Sequence, residues 1–135
     1  MQISSITFGQ KVNIYHKGEN TIKELFDDEN RLSRLIEYDK YNRDIEAKSF
    51  DSSGNIIEHM SKTYTENGMI EHFKNAFQEY TRKTYTIIEN GIKHRVEEFK
   101  SKTSPNCNYI NEFIYDISGK LIKLISNGKI TDLTK

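Results

Sequence analysis

The chain of 135 residues carries 20 basic and 20 acidic side chains, and only 35% of its residues are hydrophobic. With a mean hydropathy of −0.77, it has too few apolar residues to form a thick core between two layers. Its net charge is zero, so it lacks the excess of basic residues that is typical of a general nucleic-acid-binding protein. Its 8 Tyr and 7 Phe argue against disorder. We expect one β-repeat domain over residues 1–135, built as a thin sheet.

Cysteine content and apolar runs bear on the location of the protein. A lone cysteine, Cys107, excludes a disulfide within the chain. No stretch approaches the ~20 apolar residues that span a bilayer, and the first residues have neither the charged flank nor the apolar run of a secretion signal. We therefore expect a cytoplasmic protein without a membrane partner.

The first 18 residues contain a modest alternation of apolar and polar side chains that closes on Lys17-Gly18. Alternation of this kind is typical of a half-buried strand. It predicts an opening hairpin or strand.

An aromatic-Asp pair then recurs at a spacing of 12 residues, as Phe26-Asp27, Tyr38-Asp39 and Phe50-Asp51. Three residues after each Asp stands a turn-forming residue: Asn30, Asn42 or Gly54. Aromatic residues suit a pleated, half-buried surface, Asp bonds the backbone two residues on, and Asn or Gly accepts positive φ. About eight residues remain between turns, which is the length of one strand. The repeat predicts a twisted antiparallel meander of roughly nine to eleven strands, made of repeated β-hairpins.

Two segments, residues 21–38 and residues 69–82, also fit a helical stripe of apolar residues, and Thr21 with Glu24 matches a capping box. These segments leave open an α+β fold with a helix in one of them. We favour strands, because the 12-residue phrase continues into residues 45–50, where no helical stripe follows.

Hairpin signals are strong in the second half of the chain. Asn67-Gly68, Asn90-Gly91 and Asn127-Gly128 each predict a two-residue turn with positive φ. A loop at Asn90-Gly91 would place Tyr85 opposite Val96 and Lys83 opposite Glu98. A two-residue loop at Ser118-Gly119 would place Tyr115 opposite Ile122 and Phe113 opposite Leu124. Residues 101–108, which include the only proline, predict an irregular loop.

These turns resemble the YD-repeat, or Rhs-type, proteins, whose unit reads roughly Tyr-Asp-x-x-Gly-Asn-Leu. The best matches are residues 50–56 (Phe-Asp-Ser-Ser-Gly-Asn-Ile) and residues 115–121 (Tyr-Asp-Ile-Ser-Gly-Lys-Leu), and residues 64–70 form a looser copy. The resemblance covers about residues 26–130 and implies strand-turn-strand units. It also implies a likeness to the small immunity proteins that accompany polymorphic bacterial toxins, in which a sheet face or edge blocks one toxin domain.

Catalytic and cofactor-binding patterns are not recognisable in the sequence. His16, His59, His72 and His94 lack metal-ligand spacing, and Cys107 has no histidine nearby in sequence to act as a base. No glycine-rich phosphate loop is present. We therefore expect no enzymatic activity, no cofactor and no metal.

Charge is divided unevenly along the chain. Residues 19–58 hold 11 acidic and 6 basic side chains, whereas residues 59–135 hold 9 acidic and 12 basic ones. An acidic surface complements the basic cleft of a nuclease, and Tyr is enriched at interface hot spots. We expect a protein-binding module, most concretely an immunity protein whose partner is a cognate toxin domain, with no direct contact to nucleic acid. The predicted contact residues are Asp27, Asp28, Glu29, Glu37, Tyr38, Asp39, Tyr41, Asp44 and Glu46.

Two other functions remain open at this point: a structural fragment of a larger YD-repeat shell, and a carbohydrate-binding module that uses Tyr side chains on an open sheet. Neither the identity of the toxin nor the oligomeric state follows from the sequence.

Overall fold

The computed structural model describes residues 11–134, which form one sheet of eleven antiparallel strands in chain order. The predicted β-meander is therefore confirmed. The strands are β1 (Lys11–Lys17), β2 (Asn20–Phe26), β3 (Leu32–Tyr38), β4 (Asp44–Phe50), β5 (Ile56–Tyr64), β6 (Gly68–Asn75), β7 (Glu79–Glu89), β8 (Ile92–Ser101), β9 (Tyr109–Tyr115), β10 (Leu121–Ser126) and β11 (Lys129–Asp132).

Both helical alternatives are wrong. Residues 21–38 form most of β2 and all of β3, and residues 69–82 form most of β6 and the start of β7. In the first segment the helical stripe is interrupted where Asp27 accepts a hydrogen bond from the backbone N–H of Asn30, which closes a turn. No helix in the described part of the chain is long and apolar enough to cross a membrane.

The strands belong to two compact units, which are described separately. Unit 1 consists of the residues up to Lys62 together with Phe73–Ala76, and unit 2 consists of Thr63–His72 together with the residues from Phe77 onward. The expectation of a single β-repeat domain stays a prediction.

Few side chains are fully buried in either unit. The buried apolar residues are Ile22 and Ala47 in unit 1, at 3% and 4% exposure, and Val96 in unit 2, at 9%. A single layer of strands leaves both of its faces partly open to solvent, so the other apolar strand residues stay half-buried or exposed. This agrees with the thin sheet expected from the composition, and it places much of the stability in backbone hydrogen bonds and cross-strand side-chain pairs.

Four turns share one geometry, and each begins at an Asp of the repeated phrase: Asp27, Asp39, Asp51 and Asp116. The Asp backbone N–H donates to the carbonyl of the fourth residue after it, at 2.8 to 2.9 Å. The third residue after it has a φ of 63° to 88°, whether it is Asn30, Asn42, Gly54 or Gly119. The strand register shifts beside each turn. These are the features of a hairpin with a bulge, and they confirm the 12-residue phrase as a turn.

The predicted two-residue loop at Ser118-Gly119 is wrong for the same reason. Phe113 does lie opposite Leu124, but the bulge shifts the register so that Tyr115 lies opposite Leu121 rather than Ile122.

The Asn-Gly turns divide into two kinds. Asn90-Gly91 and Asn127-Gly128 have positive φ at both residues, as predicted, and Tyr85 lies opposite Val96 and Lys83 opposite Glu98. The carboxylate of Glu98 forms an ion pair with Lys100 at 3.2 Å.

The prediction of a positive-φ turn at Asn67-Gly68 is wrong, because neither residue has positive φ. The backbone N–H of Thr65 donates to the carbonyl of Gly68 at 2.8 Å, so Glu66 and Asn67 lie in the loop and Gly68 begins β6. A Cβ atom on Gly68 would lie 2.1 Å from the carbonyl oxygen of Thr84. The glycine is required by this close approach of two strands rather than by its φ.

The remaining connections match their predictions. The irregular loop predicted over residues 101–108 occupies residues 102–108, because Ser101 ends β8, and it contains a 3-10 turn at Pro105–Cys107. The opening hairpin pairs β1 with β2, and Lys17 lies opposite Asn20. The part of that prediction that concerns residues 1–10 lies outside the described residues.

We predict that Gly54 can be replaced by Asn but not by Val. Asn occupies the same turn position at Asn30 and Asn42, and a Cβ atom on Gly54 would meet no other atom. Gly54→Asn should change the free energy of unfolding by less than about 0.5 kcal/mol, whereas Gly54→Val should lower it by more than about 1 kcal/mol, because a β-branched residue is strained at positive φ. Urea denaturation followed by circular dichroism measures both. Equal stability of the two variants would contradict the shared turn geometry.

We predict that Gly68→Ala destabilises the protein by about 2 kcal/mol or more, because the added methyl group overlaps the backbone of β7. Asn67→Ala, one residue earlier, is the matched control and should stay within about 0.5 kcal/mol of the unmodified protein. The same urea titration compares them. A Gly68→Ala variant as stable as its control would mean that β6 and β7 are not in close contact at this point.

Candidate functional site

The predicted contact residues lie in three places within unit 1. Asp27, Asp28 and Glu29 occupy the turn between β2 and β3, whereas Tyr38 ends β3 and is followed by Asp39 and Tyr41 in the turn between β3 and β4. Consecutive turns of an antiparallel meander lie at opposite ends of the strand between them. β3 has 7 residues, so the two turns are about 20 Å apart.

The first turn neutralises much of its own charge. The Oδ1 atom of Asp27 accepts the backbone N–H groups of Glu29 and Arg31, each at 2.9 Å. The guanidinium of Arg31 lies 2.9 Å from the other carboxylate oxygen of Asp27 and 3.3 Å from the carboxylate of Glu29. Arg31 therefore partly neutralises the carboxylates of Asp27 and Glu29.

The carboxylates at the repeat positions have lowered pKa values. The pKa of Asp27 and that of Asp51 are lowered chiefly by the backbone N–H of the residue four positions later, and this outweighs desolvation. For Asp39, desolvation is the largest single influence and raises the pKa, but hydrogen bonds from Arg43 and Tyr41 together lower it. For Asp116 the hydroxyl of Ser118 is the main cause of the lowered pKa. These carboxylates thus stay ionised because the folded turn supplies their donors.

The second turn has the same framework with a different surface. Asp39 accepts the backbone N–H groups of Tyr41 and Arg43 at 2.9 and 3.0 Å, and Arg43 forms an ion pair with it at 2.8 Å. Just beyond the turn, Asp44 accepts a hydrogen bond from Lys62 on β5 at 3.0 Å. We call Tyr38, Asp39, Tyr41, Arg43 and Asp44 the tyrosine turn.

Tyr41 is the exposed aromatic residue of this turn. Its side chain is 67% exposed, and the charged groups of Lys40 and Arg43 lie 5.3 and 5.0 Å from its ring centroid. The corresponding positions of the other three turns hold Glu29, Ser53 and Ser118. The turn geometry is the same without an aromatic ring there, so the turn itself does not require Tyr41.

Glu37 is the next-to-last residue of β3 and Glu46 the third residue of β4, so both lie on the strands beside the tyrosine turn rather than in the turn. They are opposite each other on β3 and β4, so two like charges share one face of the sheet. The carboxylate of Glu37 accepts a hydrogen bond from Asn20 at 2.7 Å, and that of Glu46 lies 3.2 Å from His59 and 3.7 Å from Lys48. The nine predicted residues therefore do not form one acidic patch.

The cations that balance these acids, above all Arg31, Arg43 and Lys62, are not among the residues predicted from the sequence. A signal for two of them was present: Arg31 and Arg43 stand 12 residues apart, each four residues after the Asp of its repeat. Lys62 carried no such signal, because its contact with Asp44 depends on the pairing of β4 with β5.

Catalytic and metal-binding groups are dispersed. Within residues 11–134, no group of three or more His, Cys, Asp or Glu side chains could hold a metal ion. His94 forms a close pair with Glu112, at 2.6 Å between Nδ1 and Oε2, and His72 hydrogen-bonds Thr81. Cys107 is exposed in the loop after β8.

Comparisons with known proteins give no match: no protein-family model, no curated protein and no solved structure is similar to this chain. The resemblance to YD repeats therefore stays a prediction that rests on the residues of the turns.

We predict that the repeat aspartates make the fold acid-sensitive. Because their pKa values are lowered on folding, their stabilisation is complete above the unfolded Asp pKa of about 3.9 and is lost as the pH falls through the lower folded values. Asp51→Asn keeps the shape of the side chain and removes its charge. The difference in free energy of unfolding between the unmodified protein and this variant should be constant from pH 7 to about pH 5 and shrink below pH 4. Denaturant titrations at several pH values measure it, and a difference that does not change with pH would exclude this role of Asp51.

Proposed function

We propose that the protein is a non-enzymatic protein-binding module that uses the tyrosine turn as its contact surface. The observation that carries the proposal is the exposed ring of Tyr41, on a turn that needs no aromatic residue. Tyr is among the residues that contribute most to binding at interfaces, and only one of the four equivalent turns carries an aromatic residue at this position.

The rigidity of the turn supports the same proposal. Asp39 accepts two backbone N–H groups and one guanidinium, so the backbone that presents Tyr41 is ordered before a partner arrives. A pre-organised contact residue loses little conformational entropy on binding. The flanking Lys40 and Arg43 restrain the ring as well.

More specifically, we propose that the partner is a bacterial toxin domain and that the protein acts in the cytoplasm as its immunity protein. The resemblance of the turns to YD repeats and the excess of acidic residues between positions 19 and 58 support this form of the proposal. Because Asp27, Asp39 and Asp44 are paired with cations of the same unit, we expect recognition to depend on the shape and aromatic surface of the turn more than on net charge.

We predict that Tyr41→Ala lowers the affinity for the proposed cognate toxin domain by at least about 30-fold, as expected of a central aromatic contact. Ser53→Ala, at the same position of the next turn, is the matched control and should bind as the unmodified protein does. Isothermal titration calorimetry at two salt concentrations gives both affinities. Only a small change with salt is expected, because the carboxylates of the turn are already paired.

Two results would count against the proposal, in different ways. If Tyr41→Ala and Ser53→Ala bind equally well, the contact surface lies elsewhere on the protein. If the unmodified protein does not bind that toxin domain at all, the immunity role is excluded, and the structural YD-repeat fragment becomes the better explanation of the repeated turns.

A further inference from the structure

One face of unit 2 is lined by isoleucines over β7 to β11. Directly paired residues share a face of a sheet, and the observed pairing joins Tyr85 to Val96, Val96 to Glu112, and Glu112 to Ile125. On the same face, His94 of β8 pairs with Ile114 of β9, and Ile125 of β10 pairs with Ile130 of β11. We call this surface the isoleucine face; its apolar residues are Tyr85, Ile87, Ile92, Val96, Ile110, Ile114, Ile125 and Ile130.

On the opposite face of the same strands, aromatic rings and cationic side chains pack against one another. There the ring of Phe99 lies 5.0 Å from that of Tyr80 and 5.3 Å from that of Tyr109, nearly parallel to the latter. The ammonium of Lys93 lies 4.6 Å from the ring centroid of Tyr115. Large rings and long cationic side chains can lie along a sheet and shield one another.

Isoleucine side chains stand upright on a sheet and cannot shield one another in this way. Ile87, Ile110 and Ile130 on the isoleucine face are 38%, 52% and 62% exposed. Within unit 2, β7 to β11 are consecutive neighbours in one sheet, so these strands form no second layer over the face. These apolar residues surround the His94–Glu112 pair, whose atoms Nδ1 and Oε2 lie 2.6 Å apart on the same face. An exposed surface lined by so many apolar residues marks an interaction surface.

We propose that the isoleucine face binds the same face of a second copy of this chain, so that two sheets pack into a sandwich related by a twofold axis. Sheets that pack face to face lie about 10 Å apart and interdigitate their side chains, and a twofold contact uses one patch on both copies. The interaction is separate from the tyrosine turn, which belongs to unit 1.

Charge favours a second copy over an unrelated partner. The polar positions of the isoleucine face carry both signs: Lys83, Lys100 and Lys123 stand among Glu89, Glu98, Glu112 and Asp132. Glu98 is paired with Lys100 at 3.2 Å and Glu112 with His94 at 2.6 Å. The face therefore offers little unbalanced charge to a partner of one predominant sign, whereas a second copy brings the same mixture. The chain has no net charge, so two copies do not repel each other.

The size of the face also suits a dimer. Five strands spaced about 4.8 Å apart, each contributing about seven residues of 3.3 Å, give a patch of roughly 550 Å² in plan. The accessible surface area is larger than this plan area, because the side chains project from the sheet. It therefore approaches the roughly 800 Å² of accessible surface that each partner buries in a stable interface.

The test compares two adjacent residues of β7 that lie on opposite faces. Ile87→Lys places a charge on the isoleucine face, and Ile88→Lys places the same charge on the other face at a residue that is 67% exposed. Sedimentation velocity between about 1 and 100 μM should show a dimer of the unmodified protein and of Ile88→Lys. In Ile87→Lys the dissociation constant should rise at least about 100-fold, because the twofold axis buries two new charges in one interface.

Circular dichroism establishes that each variant is folded, and Ile130→Lys on β11 replaces Ile87→Lys if the latter is not. Tyr41→Ala should leave the dimer intact, so this result is independent of toxin binding. A monomeric unmodified protein at about 100 μM would overturn the proposal. So would equal weakening by Ile87→Lys and Ile88→Lys, or a dimer that survives both Ile87→Lys and Ile130→Lys, which would indicate that the copies join through strand edges.

Discussion

The interaction on which the structure depends is the hydrogen bonding of one Asp carboxylate to the backbone of its own turn. At Asp27, Asp39, Asp51 and Asp116 the same oxygen accepts N–H groups two and four residues later. These hydrogen bonds hold the chain in a bulged hairpin and set the register of the strands on either side. A sheet with few buried side chains needs such local determinants, because a one-residue slip would cost it little apolar burial.

A single layer of strands has a direct consequence for function. Each unit has two faces. On both of them, apolar side chains must be shielded or covered and charged side chains must be neutralised or solvated. Unit 2 shields one face with stacked aromatic rings and cations and leaves isoleucines on the other. Unit 1 neutralises its acidic turns with cations placed four residues later. Tyr41 and several residues of the isoleucine face are among the large side chains that stay exposed after this compensation.

The repeated turn also separates structural residues from functional ones. Four copies of one geometry show which positions the turn requires: the Asp, and the Asn or Gly with positive φ. The residue between them varies from Glu29 to Tyr41, Ser53 and Ser118 without changing the geometry. A residue that varies freely in this way is available for recognition, and an aromatic residue there is the exception.

The sequence by itself determined the strands, the turns at the aromatic-Asp phrase and two of the three Asn-Gly hairpins, because these depend on residues close together in the chain. It also placed Tyr41 in an exposed turn. Only the tertiary structure decided that Gly68 serves a close approach of two strands, that Asp44 is paired with Lys62, and that the predicted contact residues lie at opposite ends of β3. The same is true of the isoleucine face, which gathers residues from five strands. These features depend on the register in which neighbouring strands pair, and a bulge of one residue is enough to change that register.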